Sequence, residues 1–143
     1  MTATKARLHS AEHIFWTFLK KRWPTIKTEA IEFQTDKVRL DYIISSDIDI
    51  EEIMELEQLV NENIRKNLIV ETEVLARDKA ATLVDLSLLP KTIQSVRLVK
   101  IGDISIEACI GEHVKNTSEI GIAKMVEIKK RGTDKLRIYL TVE

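Results

Sequence analysis

Two short segments hold every histidine and the only cysteine of this chain. Residues 9–13 read His-Ser-Ala-Glu-His, and residues 109–113 read Cys-Ile-Gly-Glu-His. Imidazole nitrogen and thiolate sulfur are the ligands that zinc prefers in proteins. On a helix, two histidines four positions apart lie about 40° apart around the axis, so both rings can reach one ion. The spacing therefore predicts a fold that brings these distant segments together around one zinc ion. The predicted ligands are His9, His13, Cys109 and His113.

Each ligand type also has an ordinary structural interpretation. A single free cysteine is most often a small buried apolar residue, and single histidines often fill a core or a surface. Two pairs with no histidine or cysteine left over favour the metal interpretation. Four protein ligands are typical of a closed structural site, whereas a catalytic site keeps one position for water or substrate. The residue types leave both roles for the metal open.

Size and composition predict one globular domain over residues 1–143. The hydrophobic content is 44%, enough for a single core. Charged residues make up 31%, but the formal net charge is only −1, which argues against a protein that depends on non-specific phosphate contacts. With no apolar run as long as a membrane span and no second cysteine for a disulfide, we expect a cytoplasmic protein without membrane contact.

The pattern of apolar residues predicts an α+β fold. Helical periodicity covers residues 4–22 and 50–66, and the first helix carries the two early histidines. Alternating and turn-bounded runs predict strands at residues 26–33, 37–44, 68–76, 96–101, 104–108, 121–130 and 135–142. This order has too few crossover helices for a doubly wound fold. We therefore expect an antiparallel or mixed sheet with helices packed on one side.

The chain also resembles a known protein family along most of its length. Residues 9–15 (HSAEHIF) correspond to the family motif HTATHLL, and residues 36–42 (DKVRLDY) correspond to its DRLRFDF run. Residues 57–64 (EQLVNENI) match an ExxVNExI helix, and residues 96–103 (VRLVKIGD) match VRVVxIGD. Residues 109–121 (CIGEHVKNTSEIG) match CGGTHVxNTGEIG. The family is the alanyl-tRNA editing domain, which occurs within alanyl-tRNA synthetases and, free-standing, as the AlaX proteins; the chain resembles their short form.

The resemblance implies a fold, a cofactor and a reaction. The fold would be the common editing domain of alanyl- and threonyl-tRNA synthetases, with zinc held by the four residues predicted above. The reaction would be hydrolysis of the ester that joins a wrong amino acid to the 3′ end of tRNA(Ala). Serine is the main expected error and glycine a second one. The chain would then be a zinc-dependent aminoacyl-tRNA deacylase that edits in trans.

The resemblance also suggests candidate residues for the substrate site. Thr28, Glu29 and Asn116 are the candidates for contacting the aminoacyl group. Glu12 and Glu112 stand where the family motifs have threonine, and each flanks a predicted ligand. A carboxylate there could act as general base or support a ligand from behind. Each candidate also has an ordinary interpretation: Thr28 and Glu29 as strand surface, Asn116 as a turn residue, and the two glutamates as solvated carboxylates.

A basic segment offers a contact for RNA. Lys20, Lys21 and Arg22 end the first helix, and the resemblance implies that they hold phosphates at the acceptor end of the tRNA. Phosphate contacts of this kind position an RNA without specifying its sequence. The alternative is a favourable interaction of three cations with the helix dipole. The sequence does not indicate the oligomeric state.

Two other functional classes remain open at this point. The altered residues Glu12 and Glu112 are compatible with a zinc-stabilised tRNA-binding or adaptor module that lacks catalysis. A small-molecule esterase on the same zinc fold is the third class, and it would cleave simple aminoacyl esters. A metalloprotease is excluded by the first motif, because His9 is followed by Ser10 and not by the glutamate of an HExxH site.

Overall fold

The structure is a computed structural model that describes residues 3–45, 47–87 and 89–143. Helix α1 spans Thr4–Arg22, the residues for which the sequence predicts it. Leu8, Ile14 and Leu19 on its inner face are fully buried. The helix ends at Trp23, whose N–H still donates to the Leu19 carbonyl, because Pro24 cannot continue it.

Helix α2 spans Ile50–Ile64 and confirms the second predicted helix, although it ends two residues earlier than predicted. The Asp49 side chain caps its first turn by accepting from the Glu51 N–H at 2.9 Å. Beyond its last turn, Asn67 adopts a left-handed φ of 54°, which turns the chain toward the next strand. A four-residue helix, α3, spans Arg77–Ala80.

The described residues form two antiparallel sheets. Their strands are β1 (Lys27–Phe33), β2 (Lys37–Ile43), β3 (Val70–Ala76), β4 (Ser95–Ile101), β5 (Ser105–Ala108), β6 (Ala123–Lys130) and β7 (Lys135–Val142). The larger sheet has the order β1-β2-β7-β6, and the smaller has the order β3-β4-β5. The α+β class is confirmed. Strand β4 pairs with β3 along one edge and with β5 along the other, and these three strands form a sheet separate from the other four.

Two of the hairpin turns contain a glycine with a left-handed φ. Gly102 joins β4 to β5 with a φ of 50°, and Gly132 joins β6 to β7 with a φ of 85°. Glycine adopts such left-handed conformations without the steric cost that a side chain imposes. The first of these hairpins leads directly from β5 into the second ligand segment, at Cys109.

Helix α1 is the element that carries the two halves of the site together. It packs against α2, β7 and β5, and its inner face joins one core with strands β2 and β7. Because β5 lies beside this helix, the segment that follows β5 emerges next to the buried first half of α1. In the part of the chain that the structure describes, no helix is both long enough and apolar enough to cross a membrane.

Candidate metal centre

The four predicted ligands converge on one point. The Sγ atom of Cys109 lies 3.2 Å from Nε2 of His9. Nε2 of His113 lies 3.2 Å from Nε2 of His13. The four donor atoms all lie within 4.8 Å of one another. The predicted convergence is therefore confirmed, while the binding of an ion to it stays a prediction.

The donor set fits a tetrahedral zinc ion. Zinc bonds of about 2.0–2.1 Å to nitrogen and about 2.3 Å to sulfur place neighbouring ligand atoms roughly 3.3–3.6 Å apart. The two measured contacts of 3.2 Å are close to that separation. Three imidazoles and one thiol also match the ligand types of zinc sites. The geometry and the chemistry agree on the same kind of ion.

The histidine rings are oriented by packing. In many metal sites the second ring nitrogen donates to a carboxylate or a carbonyl, which fixes the ring. Here Nδ1 of His9, His13 and His113 is buried and has no hydrogen-bond partner among the described residues. The ring of His9 instead contacts those of His13, His113 and Phe33, with centroids 5.0, 4.3 and 5.1 Å away. Ring contacts therefore hold Nε2 toward the centre.

The electrostatic environment keeps the three imidazoles neutral. Burial, followed by the charge of His113, lowers the pKa of His9 to about 4. Burial and then Arg97 lower the pKa of His113 to about 4, and burial holds the pKa of His13 well below its usual value. A neutral ring has the free lone pair that a metal ion needs. Burial raises the pKa of the Cys109 thiol, so the metal ion must displace that proton.

Two side chains outside the donor set hold the second ligand segment in place. Ser10 lies between the two histidines of α1, donates to the Ala6 carbonyl at 2.8 Å and accepts from the Val114 N–H at 3.0 Å. Arg97, on β4, donates to the carbonyls of Cys109 at 3.2 Å and Gly111 at 2.8 Å. Sequence reasoning missed both residues as parts of the site. For Ser10, the only signal in the sequence was its position between His9 and His13 on the predicted helix.

We expect Arg97→Met to weaken the site without unfolding the protein. The variant keeps most of the apolar stem but removes both hydrogen bonds to the ligand segment. Because partners that support metal ligands typically contribute about 10–100-fold in affinity, zinc binding should weaken by that factor. The free energy of unfolding of the metal-free protein should fall by only about 1–3 kcal/mol. Competition with a chromogenic chelator measures the first effect, and urea unfolding measures the second.

The control for this prediction is Arg65→Met, which removes an exposed arginine at the end of α2. Its zinc affinity should match that of the unchanged protein. Equal zinc affinity in the Arg97→Met variant would contradict the role that we assign to Arg97.

The two candidate carboxylates occupy different environments. Glu12 is only 6% exposed, and burial followed by the negative charge of Glu107 raises its pKa to about 8. Burial, followed by the charge of Glu12, raises the pKa of Tyr42, and Glu12 also adds to the raised pKa of the Cys109 thiol, which burial mainly causes. Glu12 directly precedes the ligand His13 on α1. Glu112, in contrast, is exposed. Glu12 is therefore the better placed of the two, and its catalytic role stays a prediction.

The described contacts do not bring Thr28, Glu29 and Asn116 together at one site. Glu29 forms an ion pair with Lys135 at 3.2 Å. Thr28 lies opposite Tyr42 in the β1–β2 pairing, five positions before Phe33, the β1 residue that contacts His9. At about 3.3 Å per residue that separation is roughly 16 Å along the strand. The proposed contacts of Thr28 and Glu29 with an aminoacyl group stay predictions.

Asn116 has a structural role in its loop. Its Oδ1 accepts from the Ser118 N–H at 2.9 Å, and its Nδ2 donates to the Asn67 carbonyl at 3.3 Å. It caps the short 3-10 helix Thr117–Glu119, directly after the second ligand segment. These bonds hold the loop that follows Val114 in the chain. A contact between Asn116 and substrate stays a prediction.

The basic end of α1 is exposed and partly paired. Lys20 forms an ion pair with Glu107 at 3.2 Å, and Arg22 pairs with Glu52 at 2.8 Å. The ammonium group of Lys21 lies 5.5 Å from the centroid of the Phe18 ring. The three cations therefore do not point to one common site.

Comparison with known proteins agrees with the geometry. A family model described as the threonyl and alanyl tRNA synthetase second additional domain matches residues 96–139, which include Cys109 and His113. The chain is a relative of the alanyl-tRNA synthetase editing region. This confirms the resemblance found in the sequence.

The individual relatives are much longer than this chain. The alanine–tRNA ligase of Bdellovibrio bacteriovorus is 38% identical over 120 residues, which cover 82% of this chain and 13% of the ligase. The ligase of Streptococcus sanguinis is 36% identical over 132 residues, 91% of this chain and 15% of that protein. The ligase of Idiomarina loihiensis is 34% identical over 123 residues, 83% of this chain and 14% of that protein. The chain thus spans about one seventh of the synthetases that it matches.

Proposed function

We propose that this chain is a zinc-dependent deacylase that hydrolyses mischarged tRNA(Ala). Seryl-tRNA(Ala) is the proposed main substrate, and glycyl-tRNA(Ala) is a second one. The observation that carries the proposal is the convergence of His9, His13, Cys109 and His113 within 4.8 Å in a relative of the alanyl-tRNA synthetase editing region. The proposal treats residues 1–143 as one editing domain that works in the cytoplasm, where charged tRNA is used.

The chemistry divides between the ion and the protein. Bound zinc would supply a Lewis acid that polarises the ester carbonyl or orients the amino acid. The chain contributes a water-poor wall around that point, formed by buried His13 and half-buried Phe33. Glu12 is the proposed acid–base group because it is buried and directly precedes the ligand His13, whereas Glu112 is exposed.

The choice of serine follows from the limits of molecular discrimination. A synthetase pocket for alanine rejects an analogue with one additional hydroxyl only weakly. A second site that hydrogen-bonds this hydroxyl can prefer serine over alanine by about 10⁴-fold. Alanine has no hydroxyl, so it would leave the polar group of the site without a partner. Thr28, Glu29 and Asn116 are the proposed candidates for that polar group. The cognate alanyl-tRNA(Ala) would then survive.

Contact with the RNA is proposed to occur at the exposed end of α1. Lys20, Lys21 and Arg22 would hold phosphates of the acceptor end. Because only these three cations would contact phosphates in a chain of net charge −1, we expect weak binding with a shallow dependence on salt.

The second candidate function is a tRNA-binding module in which zinc is structural. The observation that favours it is the number of protein donors, since four ligands typically form a closed site without a position for water. This module would bind tRNA and retain zinc but would leave every aminoacyl ester intact.

The deciding experiment follows the deacylation of seryl-, glycyl- and alanyl-tRNA(Ala) by the chain alone, as isolated and after removal of metal. We expect the serine ester to be lost at least about 100-fold faster than the alanine ester, and only in the metal-loaded sample. Retention of all three esters despite tRNA binding would support the binding module. Cleavage of seryl methyl ester at the same rate as seryl-tRNA(Ala) would indicate a small-molecule esterase.

A further inference from the structure

A groove of about 420 Å³ lies between the C-terminal half of α1 and strand β5. This volume is within the range of small-ligand sites, about 300–1,000 Å³. Lys20 and Lys21 line one side, with Pro24 at the end of the helix. The strand lines the other side with Ile104, Ser105, Ile106 and Glu107.

The groove combines three kinds of chemistry. Two exposed lysines, Lys20 and Lys21, provide positive charge at its rim. Ser105 is only 6% exposed, and its hydroxyl has no hydrogen-bond partner among the described residues. Ile104 and Ile106 provide an apolar wall, and the carboxylate of Glu107 lies 3.2 Å from Lys20 Nζ. A buried unpaired hydroxyl in a partly apolar groove indicates that a ligand completes the site.

The groove lies near the candidate metal centre, although none of the four ligands lines it. Thr17 lines its inner end, and the Thr17 hydroxyl donates to the carbonyl of the ligand His13 at 3.0 Å. On the strand side, Glu107 precedes the ligand Cys109 by two residues, about 7 Å along the chain. Both walls of the groove therefore adjoin residues that carry or contact a ligand, which places the groove within about one nucleotide of the centre.

We propose that this groove binds the 3′-terminal nucleotide of an RNA strand. The inference rests on the proposed function and adds to it the location of the nucleotide that carries the ester. The phosphate of that nucleotide lies at Lys20 and Lys21, and Glu107 and Ser105 hydrogen-bond the ribose hydroxyls. The base packs on the apolar side chains of Ile104 and Pro24.

The assignment separates the basic residues at the end of α1 into two groups. Lys20 and Lys21 line the groove, whereas Arg22 does not line it and has its guanidinium paired to Glu52 and placed over Trp23. Glu107 keeps Lys20 in position when the groove is empty of RNA.

The experiment uses uncharged tRNA(Ala) with 8-azidoadenosine as its last nucleotide, so that it does not depend on catalysis. After irradiation, mass spectrometry of the protein should find the crosslink in residues 17–24 or 104–107. A crosslink elsewhere, for example on the β2–β7 face around Arg39 and Arg137, would overturn the proposal. Absence of any crosslink or binding would overturn it as well.

A binding series tests the assignment at the level of residues. The unchanged protein should bind intact tRNA(Ala) about tenfold more tightly than tRNA(Ala) that lacks its last nucleotide. The double variant Lys20→Ala/Lys21→Ala should lose this preference, because the phosphate has no cation left. The control is Lys91→Ala, an exposed lysine outside the groove, which should keep it. A tenfold preference that survives in the double variant would overturn the proposal.

The two hypotheses fail in different ways. A groove crosslink without deacylation of any ester would leave the groove assignment intact and would reject the proposed catalysis. Deacylation of seryl-tRNA(Ala) together with a crosslink outside the groove would support the proposed catalysis and would reject the groove assignment.

Discussion

Substitution of Cys109 by alanine should remove zinc from the protein. Cys109 is the only thiol in the chain, and its Sγ lies 3.2 Å from Nε2 of His9. Alanine leaves three neutral imidazoles and opens one side of the site. We expect zinc affinity to fall by more than about 100-fold, since changes in residues that merely support ligands already cost about 10–100-fold. Deacylation of seryl-tRNA(Ala) should fall by at least the same factor.

Two measurements check this expectation. Mass spectrometry under non-denaturing conditions should show about one zinc ion per unchanged chain and almost none in the variant. A chelator should lower the melting temperature of the unchanged protein but not that of the variant, because only the first gains stability from bound metal.

The neighbouring residue supplies a matched control. Ile110 follows Cys109 in the same loop and is 93% exposed, so Ile110→Ala should preserve zinc content and the effect of the chelator. Full deacylation activity in a Cys109→Ala protein shown to be free of metal would contradict the assignment of zinc to the reaction.

The sequence predicted the parts of the site that depend on local periodicity. The stripe that includes Leu8, Ile14 and Leu19 located α1 at residues 4–22, and its four-residue histidine spacing required both rings on one face. The convergence of residues 9–13 and 109–113 also followed from the sequence, because a single metal ion held by all four donors requires both segments at one point. These predictions rest on helix geometry and ligand chemistry, which are independent of the tertiary fold.

The rest of the site depends on which elements become neighbours. Arg97 acts on the ligand segment because β4 pairs with β5, so that its side chain lies within reach of the Cys109 and Gly111 carbonyls. Phe33 reaches His9 from a strand in the other sheet. The division of the strands into two sheets was likewise not predictable from alternation alone. Periodicity shows which face of a strand is buried but not which strand lies beside it.

Gly111 is a second position where a single substitution should disturb the metal site. A Cβ atom at this residue would lie 2.3 Å from Cε1 and 2.4 Å from Nδ1 of the His9 ring. Carbon atoms do not approach this closely without overlap, so the ring or the loop must move. The φ of Gly111 is outside the left-handed range of Gly102, Gly121 and Gly132, and steric contact alone therefore sets the cost.

The ring of His9 has little room to move. Rings of His13 and His113 lie 5.0 and 4.3 Å away, and Phe33 lies 5.1 Å away on another side. We expect Gly111→Ala to lower the free energy of unfolding by about 1–3 kcal/mol, as is typical when atoms are added to a packed site. Zinc affinity should fall by about 10–100-fold, because Nε2 of His9 leaves its position. Urea unfolding of the metal-free protein and chelator competition measure the two effects.

A double-mutant cycle identifies the atom responsible. In a His9→Ala background the ring is absent, so adding Gly111→Ala should cost less than about 0.5 kcal/mol, and the difference between the two backgrounds is the coupling between the residues. The metal-free form is the appropriate sample, since loss of a ligand would otherwise dominate the comparison.

An equal cost in both backgrounds would mean that alanine disturbs the loop backbone and not the ring. A cost confined to the protein with His9 would establish that glycine is needed here to let the ligand loop lie against the first histidine. That close approach is what allows Cys109 to reach the same point as the two histidines of α1.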